Sequence, residues 1–280
     1  MRANPVALDA IANFLIERGS PGVVIKKNEV RAYFARAAAG GSIGKELQRF
    51  LGGIRGFFPR ADRARLRWSV VKDENWSRSW RRFIKPQKVG KSFWVTPPWA
   101  SPPKLRRRRV ITIEPGMAFG TGTHATTRGC LELIEQAAAR LGGRPFTALD
   151  LGTGSGILSI ALALLGATKV RALDNDPVAL RVARENLCLN GVEKKVQLSG
   201  TALLRIRKSF TLVVANLTAP TILDLADALV KKVAPKGFLV LSGILHHQAG
   251  AVIRRFAADR FIVVRRKRGK EWVTMLLKRR

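Results

Sequence analysis

Residues 148–158, Ala-Leu-Asp-Leu-Gly-Thr-Gly-Ser-Gly-Ile-Leu, constrain this chain more than any others: a run fit for a buried strand enters a glycine-rich turn and leaves it as a helix. Glycine lets a backbone take positive φ and come close to a ligand, and the first helical turn offers N–H groups with no partner of their own. Dinucleotide enzymes share this construction, and so does a tight strand-to-helix turn that holds nothing. Spacing narrows the choice. Dinucleotide sites run G-x-G-x-x-G, with a pyrophosphate over the helix end. Here the glycines stand at 152, 154 and 156. G-x-G-x-G suits a ligand without phosphate, such as S-adenosylmethionine, and counts against a nicotinamide dehydrogenase.

Around that turn, strand and helix patterns alternate. Strands are expected near 147–151, 169–174, 195–198, 211–216, 237–242, 260–265 and 272–277, and helices near 124–140, 156–166, 177–188, 219–233 and 246–257. Such βα alternation predicts a mostly parallel sheet covered on both faces. Residues 261–264 and 272–277 are parted by only a short basic turn, which predicts an antiparallel hairpin and one reversed strand, as is common among methyltransferases. The expected fold is α/β, a doubly wound, seven-stranded Rossmann-like sheet with a small N-terminal α+β domain. At 280 residues the chain can hold one sizeable core and a small second unit. In the N-terminal part, helices are expected at 6–18 and 42–51 and strands at 23–25, 30–34 and 65–71. Composition then gives three segments: 1–74; a connector, 75–108, carrying Trp76, Trp80, Trp94 and Trp99, read as packing between domains; and 109–280.

The formal net charge is +32, concentrated in residues 81–109, which contain no acid, and in 254–280. A field of this size favours polyanions through counterion release, so nucleic acid or ribosomes are candidate partners; a merely solvated basic surface is the alternative. Cys130 and Cys188 make neither a disulfide framework nor a metal-ligand spacing. Both are read as small buried hydrophobes, in a reducing, cytoplasmic setting. The N-terminus shows no apolar signal core or cleavage site, and the longest nearly apolar stretch, 156–168, is too short to span a bilayer.

Other residues acquire roles from position. In Ala-Leu-Asp-Asn-Asp-Pro (172–177), Asp174 stands at the tip of the second sheet strand, where an acid accepts hydrogen bonds from both ribose hydroxyls of an adenosine. Asp176, before Pro177, reads as a helix cap. Upstream, 114–127 is a dense Gly/Thr loop; alone it could be a flexible surface loop or an anion nest. His124 within it reads as a helix-start or packing residue rather than a base. Asn216 directly follows the apolar run 213–215, at the sheet edge that faces a ligand crevice, where its carbonyl can accept from an incoming amine. A capping role for Asn216 or Thr218 is the alternative.

Taken together, the runs PGMAFGTGTHATT, LDLGTGSGILSIALALLGA, ALDNDPVAL, ARENLCLNG, VVANLTAP and LSGIL resemble the PrmA family, which methylates amines of the stalk-base protein of the large ribosomal subunit. The match covers most of the chain from about residue 70, and the first 70 residues more loosely. The resemblance implies an S-adenosylmethionine-dependent protein (lysine) N-methyltransferase with no metal. Its cofactor residues would be Phe119, Thr127, Gly152, Gly154, Asp174 and Asn216, with Asn216 also catalytic and the loop from Phe119 to Thr123 closing over the methionine end. The N-terminal domain would be ferredoxin-like and would recognise substrate. The protein would be a cytoplasmic monomer that meets a ribosomal protein, touches rRNA non-specifically through its basic surface and engages no membrane. Two departures stand out: the opening strand of the N-terminal domain is missing or displaced into residues 1–5, and this chain is far more basic than family members are expected to be.

Methyl transfer from a sulfonium is an in-line displacement, in which alignment supplies most of the catalysis. The acceptor amine must be neutral, and deprotonating a lysine of pKa ~10.4 at pH 7 costs about 4.6 kcal/mol. No carboxylate follows Asn216, so solvent takes the proton; the basic field lowers the amine's pKa while opposing approach of a cationic substrate. Competing readings are a methyltransferase acting on another protein or on RNA, and a ribosome-binding module on a degenerate enzyme fold. Base-methylating enzymes often carry N-P-P-[YF]; Leu217-Thr218-Ala219 supplies no such aromatic, which argues against that subclass alone.

Overall fold

In the computed structural model, which describes residues 5–20, 22–26, 29–34, 42–54, 66–69, 85–101, 108–115, 122 and 124–280, the chain divides into two units, Met1–Ser79 and Trp80–Arg280. In the first, helix α1 (Pro5–Glu17) leads into an antiparallel hairpin of β1 (Val23–Lys26) and β2 (Glu29–Ala32), followed by α2 (Ser42–Gly53). Leu8, Ile11, Ala12 and Leu15 recur at helical spacing along α1. Phe14 and Leu15 meet Ile43, Leu47 and Leu51 of α2 in one cluster, against which Val23, Val30 and Ala32 pack. This α-β-β-α order has the sequence of elements found in the middle of a ferredoxin-like β-α-β-β-α-β unit, the arrangement expected from the resemblance. The outer strands would fall on residues 1–5 and 65–71; residues 66–69 hold no strand, Pro5 opens α1, and the rest lies outside the described residues.

The second unit begins with a three-stranded sheet, β3 (Gln87–Val89), β4 (Phe93–Thr96) and β5 (Arg109–Thr112), β4 pairing antiparallel with β3 and parallel with β5. These strands occupy the stretch expected to be connector. Phe93, Trp94, Val95 and Thr96 are all buried, so β4 shows no alternation by which a strand is read. Trp94 is covered by Lys88, whose Nζ lies 5.3 Å from the ring centroid; Trp76 and Trp80 fall outside the described residues.

There follow α3 (Ala125–Arg140), β6 (Phe146–Leu151), α4 (Ile157–Leu164), β7 (Ala167–Leu173), α5 (Pro177–Leu189), β8 (Val196–Ser199), β9 (Phe210–Asn216), α6 (Ala219–Asp224), α7 (Ala226–Lys232), β10 (Val233–Leu245), α8 (Ala249–Ala257), β11 (Phe261–Arg268) and β12 (Trp272–Arg279). Seven of these strands form one sheet in the order β11-β12-β10-β9-β6-β7-β8, all parallel except β12. This is the expected Rossmann-like methyltransferase sheet with its C-terminal hairpin. The reversed strand is last in the chain but lies inside the sheet, between β11 and β10. One face carries the cluster built with α3 and α4, to which Ala148 belongs; the other carries that of α6, α7 and α8, to which Leu149 and Leu151 belong.

Two elements differ from expectation. The helix expected at 219–233 is two helices, broken at Leu225 (φ −93°, ψ 5°), where no glycine or proline marks a stop. Strand β10 starts earlier than expected because its pairing with β9 jumps from Val233↔Phe210 to Phe238↔Leu212, across Lys236 at φ 61°. Among the described residues no helix is long and apolar enough to cross a membrane.

Candidate functional site

Sheet register lines up the site. Leu151 pairs with Ala215 on one side and Leu173 on the other, so the following residues, Asn216, Gly152 and Asp174, stand side by side at the carboxyl edge. With neighbouring strands ~4.8 Å apart, Asn216 and Asp174 are separated by roughly 10 Å. Strand β6 has β7 on one side and β9 on the other, the switch in strand order at which open α/β sheets bind ligands.

The turn after β6 needs its glycines. Gly152, Gly154 and Gly156 have φ of 72°, 53° and 82°, in the left-handed region. The Gly152 and Thr153 N–H groups donate to the Leu173 carbonyl at 2.8 and 2.9 Å, tying the turn to the end of β7. A Cβ on Gly152 would lie 2.6 Å from Leu217 Cδ2. Gly156 begins α4 with no side-chain cap. The half-buried Asp174 accepts from Gly154 N–H at 2.8 Å through Oδ2 and from Asp176 N–H at 3.1 Å through Oδ1. Each carboxylate oxygen keeps a further lone pair. Asp176 caps α5, accepting from Val178 N–H at 2.8 Å.

Beneath the turn lies Asp150, fully buried, whose Oδ2 accepts from Thr153 Oγ1 and Ser159 Oγ, both at 2.7 Å. Its Oδ1 has no partner among the described residues. Burial pushes this carboxyl up to about 6; the two hydroxyls oppose the rise and the charge of Asp174 adds to it. Sequence reasoning passed over Asp150 as part of the strand. The available signal was an acid inside an apolar strand, with hydroxyl residues following at 153 and 159.

The start of α3 closes the other side. His124 is the cap of α3, its Nδ1 accepting from Thr126 N–H at 3.4 Å and lying 2.7 Å from Thr126 Oγ1, with its ring edge-on to Trp272 at 5.8 Å. Asn216 Nδ2 donates to Thr126 Oγ1 at 3.3 Å. Ser242, in register with Asn216, donates to the Thr126 carbonyl at 3.4 Å. Thr127 is buried, and its Oγ1 has no partner among the described residues. Phe119 and Thr123 lie outside the described residues; Gly122 sits where a Cβ would meet Val95 Cγ1 at 2.7 Å and Ile157 Cδ1 at 3.1 Å.

Asn186 of α5 and Asn190, which caps its C-terminus, neither singled out from sequence as functional, hold the strand that leads to the Gly/Thr loop. Asn186 accepts from Glu114 N–H at 2.9 Å and donates to the Ser155 carbonyl at 2.9 Å. Asn190 accepts from Thr112 N–H at 2.8 Å and donates to the Thr112 carbonyl at 2.6 Å. Of the cysteines, Cys130 is buried, and burial holds its thiol far above the ordinary value; Cys188 is exposed, contrary to expectation, on the outer side of α5.

These groups fit S-adenosylmethionine. Gly152 and Gly154 carry no side chain to obstruct a nucleoside, Asp174 is anchored by backbone N–H groups with lone pairs to spare for a ribose, and the buried Thr127 hydroxyl lacks, among the described residues, the partner that a buried polar atom requires.

Comparison with known proteins agrees with the geometry. The family model described as "Ribosomal protein L11 methyltransferase (PrmA)" matches residues 1–280. A protein named ribosomal protein L11 methyltransferase from Pelobacter propionicus is 39% identical over 254 residues, covering 89% of this chain and 81% of its own. A protein of the same name from Geobacter sulfurreducens is 38% identical over 281 residues, covering 95% of this chain and 92% of its own. The crystal structure of a ribosomal protein L11 methylase from Lactobacillus delbrueckii subsp. bulgaricus is similar with a TM-score of 0.63 and 31% identity, covering 70% of this chain and 99% of that one.

Proposed function

The chain belongs to the family of ribosomal protein L11 methyltransferases, and from that premise we propose that it transfers methyl groups from S-adenosylmethionine to amines of L11, the stalk-base protein of the large ribosomal subunit. The observation that carries this reading is the register that sets Asn216, Gly152 and Asp174 side by side at the carboxyl edge. When bound, S-adenosylmethionine supplies an electrophilic methyl group on a sulfonium. Asp174 accepts from the ribose hydroxyls, Gly152 and Gly154 give the nucleoside room against the backbone, and Thr127 donates or accepts through its hydroxyl, which has no partner among the described residues. Thr126 occupies the nitrogen end of the Asn216 amide, so Asn216 presents its carbonyl oxygen to the acceptor amine and aligns it. Asn216 hydrogen-bonds to no carboxylate among the described residues, which supports release of the amine proton to solvent.

The proposal extends to the parts of the chain. Residues 1–74 recognise the substrate, 75–108 connect, and 109–280 bind the cofactor and catalyse. The strands at 87–96 fold with the catalytic unit, so the connector contributes to that unit as well. Phe119 closes over the methionine end. The enzyme works in the cytoplasm as a monomer and touches rRNA through its basic surface. The net charge of +32 favours a second reading, methylation of RNA itself. Incubation with radiolabelled S-adenosylmethionine and, separately, total ribosomal proteins and rRNA distinguishes the two: label in the protein fraction supports the proposal, and label in rRNA alone overturns it.

A further inference from the structure

Cations in the second unit are unevenly spread. Residues 146–245 hold 12 Lys and Arg against 7 Asp and Glu, whereas residues 254–280 hold 11 against 2. Within the latter segment some cations have internal partners. Lys267 pairs with Glu132, Arg255 with Asp227 and Asp259, and Arg279 donates to the carbonyls of Val230 and Val233 at 3.1 and 2.6 Å. Arg265, Arg266, Arg268 and Lys270 are exposed and meet no carboxylate among the described residues.

These four follow one another along one strand and the turn after it. Among the described residues, strand β11 is the edge of the seven-stranded sheet, paired only with β12. Arg265 stands opposite Leu276, Arg266 opposite Met275 and Arg268 opposite Val273. Residues directly opposite share a face, so Arg265 points to the α3 side and Arg266 and Arg268 to the α8 side, the last two roughly 7 Å apart along the strand. Lys270 lies in the turn before β12. Cations with no carboxylate partner among the described residues, guanidinium for the most part, thus flank the edge strand on both faces beyond the register shift between Val263 and Arg265, which suits a linear polyanion whose phosphates accept bidentate hydrogen bonds. A membrane surface would call for a broader apolar face than Ile262 and Val263, 38% and 41% exposed, provide.

We propose that β11 and the turn at 269–271 form a docking rail for an RNA phosphate backbone. That the polyanion is RNA rests on the reading that the substrate belongs to the ribosome. Each phosphate neutralised releases counterions, so the rail sets the salt dependence of RNA binding as well as its strength.

The test measures binding of the full-length protein to a labelled 20-nucleotide single-stranded RNA by fluorescence anisotropy over a range of salt. The Arg265→Gln/Arg266→Gln/Arg268→Gln/Lys270→Gln variant should bind about tenfold or more weakly near 0.1 M salt, and its slope of log K against log salt should be shallower by about 2 to 3. A control variant, Arg181→Gln/Arg184→Gln/Lys194→Gln/Lys195→Gln, removes the same charge from exposed positions of α5 and the approach to β8, and should retain most of the affinity. Charged residues also guard edge strands against pairing. An Arg265→Glu/Arg266→Glu/Arg268→Glu variant keeps the edge charged and should lose RNA binding without aggregating. Equal losses in the hairpin and control variants, unchanged RNA affinity in the hairpin variants, or a loss confined to phosphatidylglycerol vesicles would each overturn the proposal. Methylation of isolated L11 is followed in parallel and should be unaffected by the hairpin substitutions; its absence in the native enzyme contradicts the substrate assignment and leaves the RNA-binding result to stand by itself.

Discussion

The Asp174 carboxylate accepts a hydrogen bond from the Gly154 N–H at 2.8 Å, which joins the tip of β7 to the glycine turn that follows β6. One side chain thereby ties the two backbone segments that flank the proposed nucleoside site, and each of its oxygens keeps a lone pair that a ribose hydroxyl would use.

Replacing Asp174 removes both functions. Hydrogen bonds to a charged group contribute about 1.5–3 kcal/mol each, so Asp174→Ala should weaken S-adenosylmethionine binding about a hundredfold or more. Isothermal calorimetry measures this directly, with thermal unfolding as the check that the sheet survives. Affinity within a few-fold of native would remove Asp174 from the site.

Thr126 holds the Asn216 amide without itself standing at the sheet edge. Thr126→Val keeps the shape and removes the hydroxyl, so kcat should fall about tenfold, the cost of one lost hydrogen bond in alignment, while cofactor affinity stays within about twofold. Thr126→Ser should restore most of the rate. Parallel losses in kcat and cofactor affinity would assign Thr126 a structural role only.

Asp150 makes stability depend on pH in a direction opposite to that of a salt-bridged acid. Its carboxyl is raised to about 6, so the native state binds this proton more tightly than the unfolded chain does. The stability that goes with the proton is fully present below the unfolded pKa and is lost as pH rises through the native one. Over that window the loss is about 3 kcal/mol. Asp150→Asn does not titrate, so urea unfolding should show the variant gaining on the native protein by about this amount between roughly pH 4 and pH 7. A difference that stays constant with pH would mean Asp150 is ionised at no cost.

The two cysteines should separate cleanly. A disulfide reagent should modify Cys188 in the folded protein and reach Cys130 only after denaturation, because thiolate exchange needs both access and ionisation, and Cys130 has neither. Rapid reaction of both thiols under native conditions would contradict the packing of α3.

How much could be read from residues alone depended on how local the cause was. The turn from Gly152 to Gly156, the cap at Asp176 and the hairpin of β11 and β12 are set by neighbours in sequence, and each was legible there. Strand β4 was not, since burial on both faces erases alternation, and neither was the break at Leu225, which no turn residue announces. Contacts between Thr126 and Asn216, or between Asn186 and Glu114, join residues 90 and 72 positions apart. A single sequence offers nothing to pair them; only the closing of α3 and β5 onto the sheet does so.

Intact-mass spectrometry of purified L11, after incubation with the enzyme and S-adenosylmethionine, bears most directly on the proposed activity. The native enzyme should raise the mass of L11 in whole methyl-group steps that map to amines, and Asn216→Ala should leave most of the L11 unchanged. An L11 mass that the native enzyme does not alter, with the cofactor bound and the protein folded, would contradict the account.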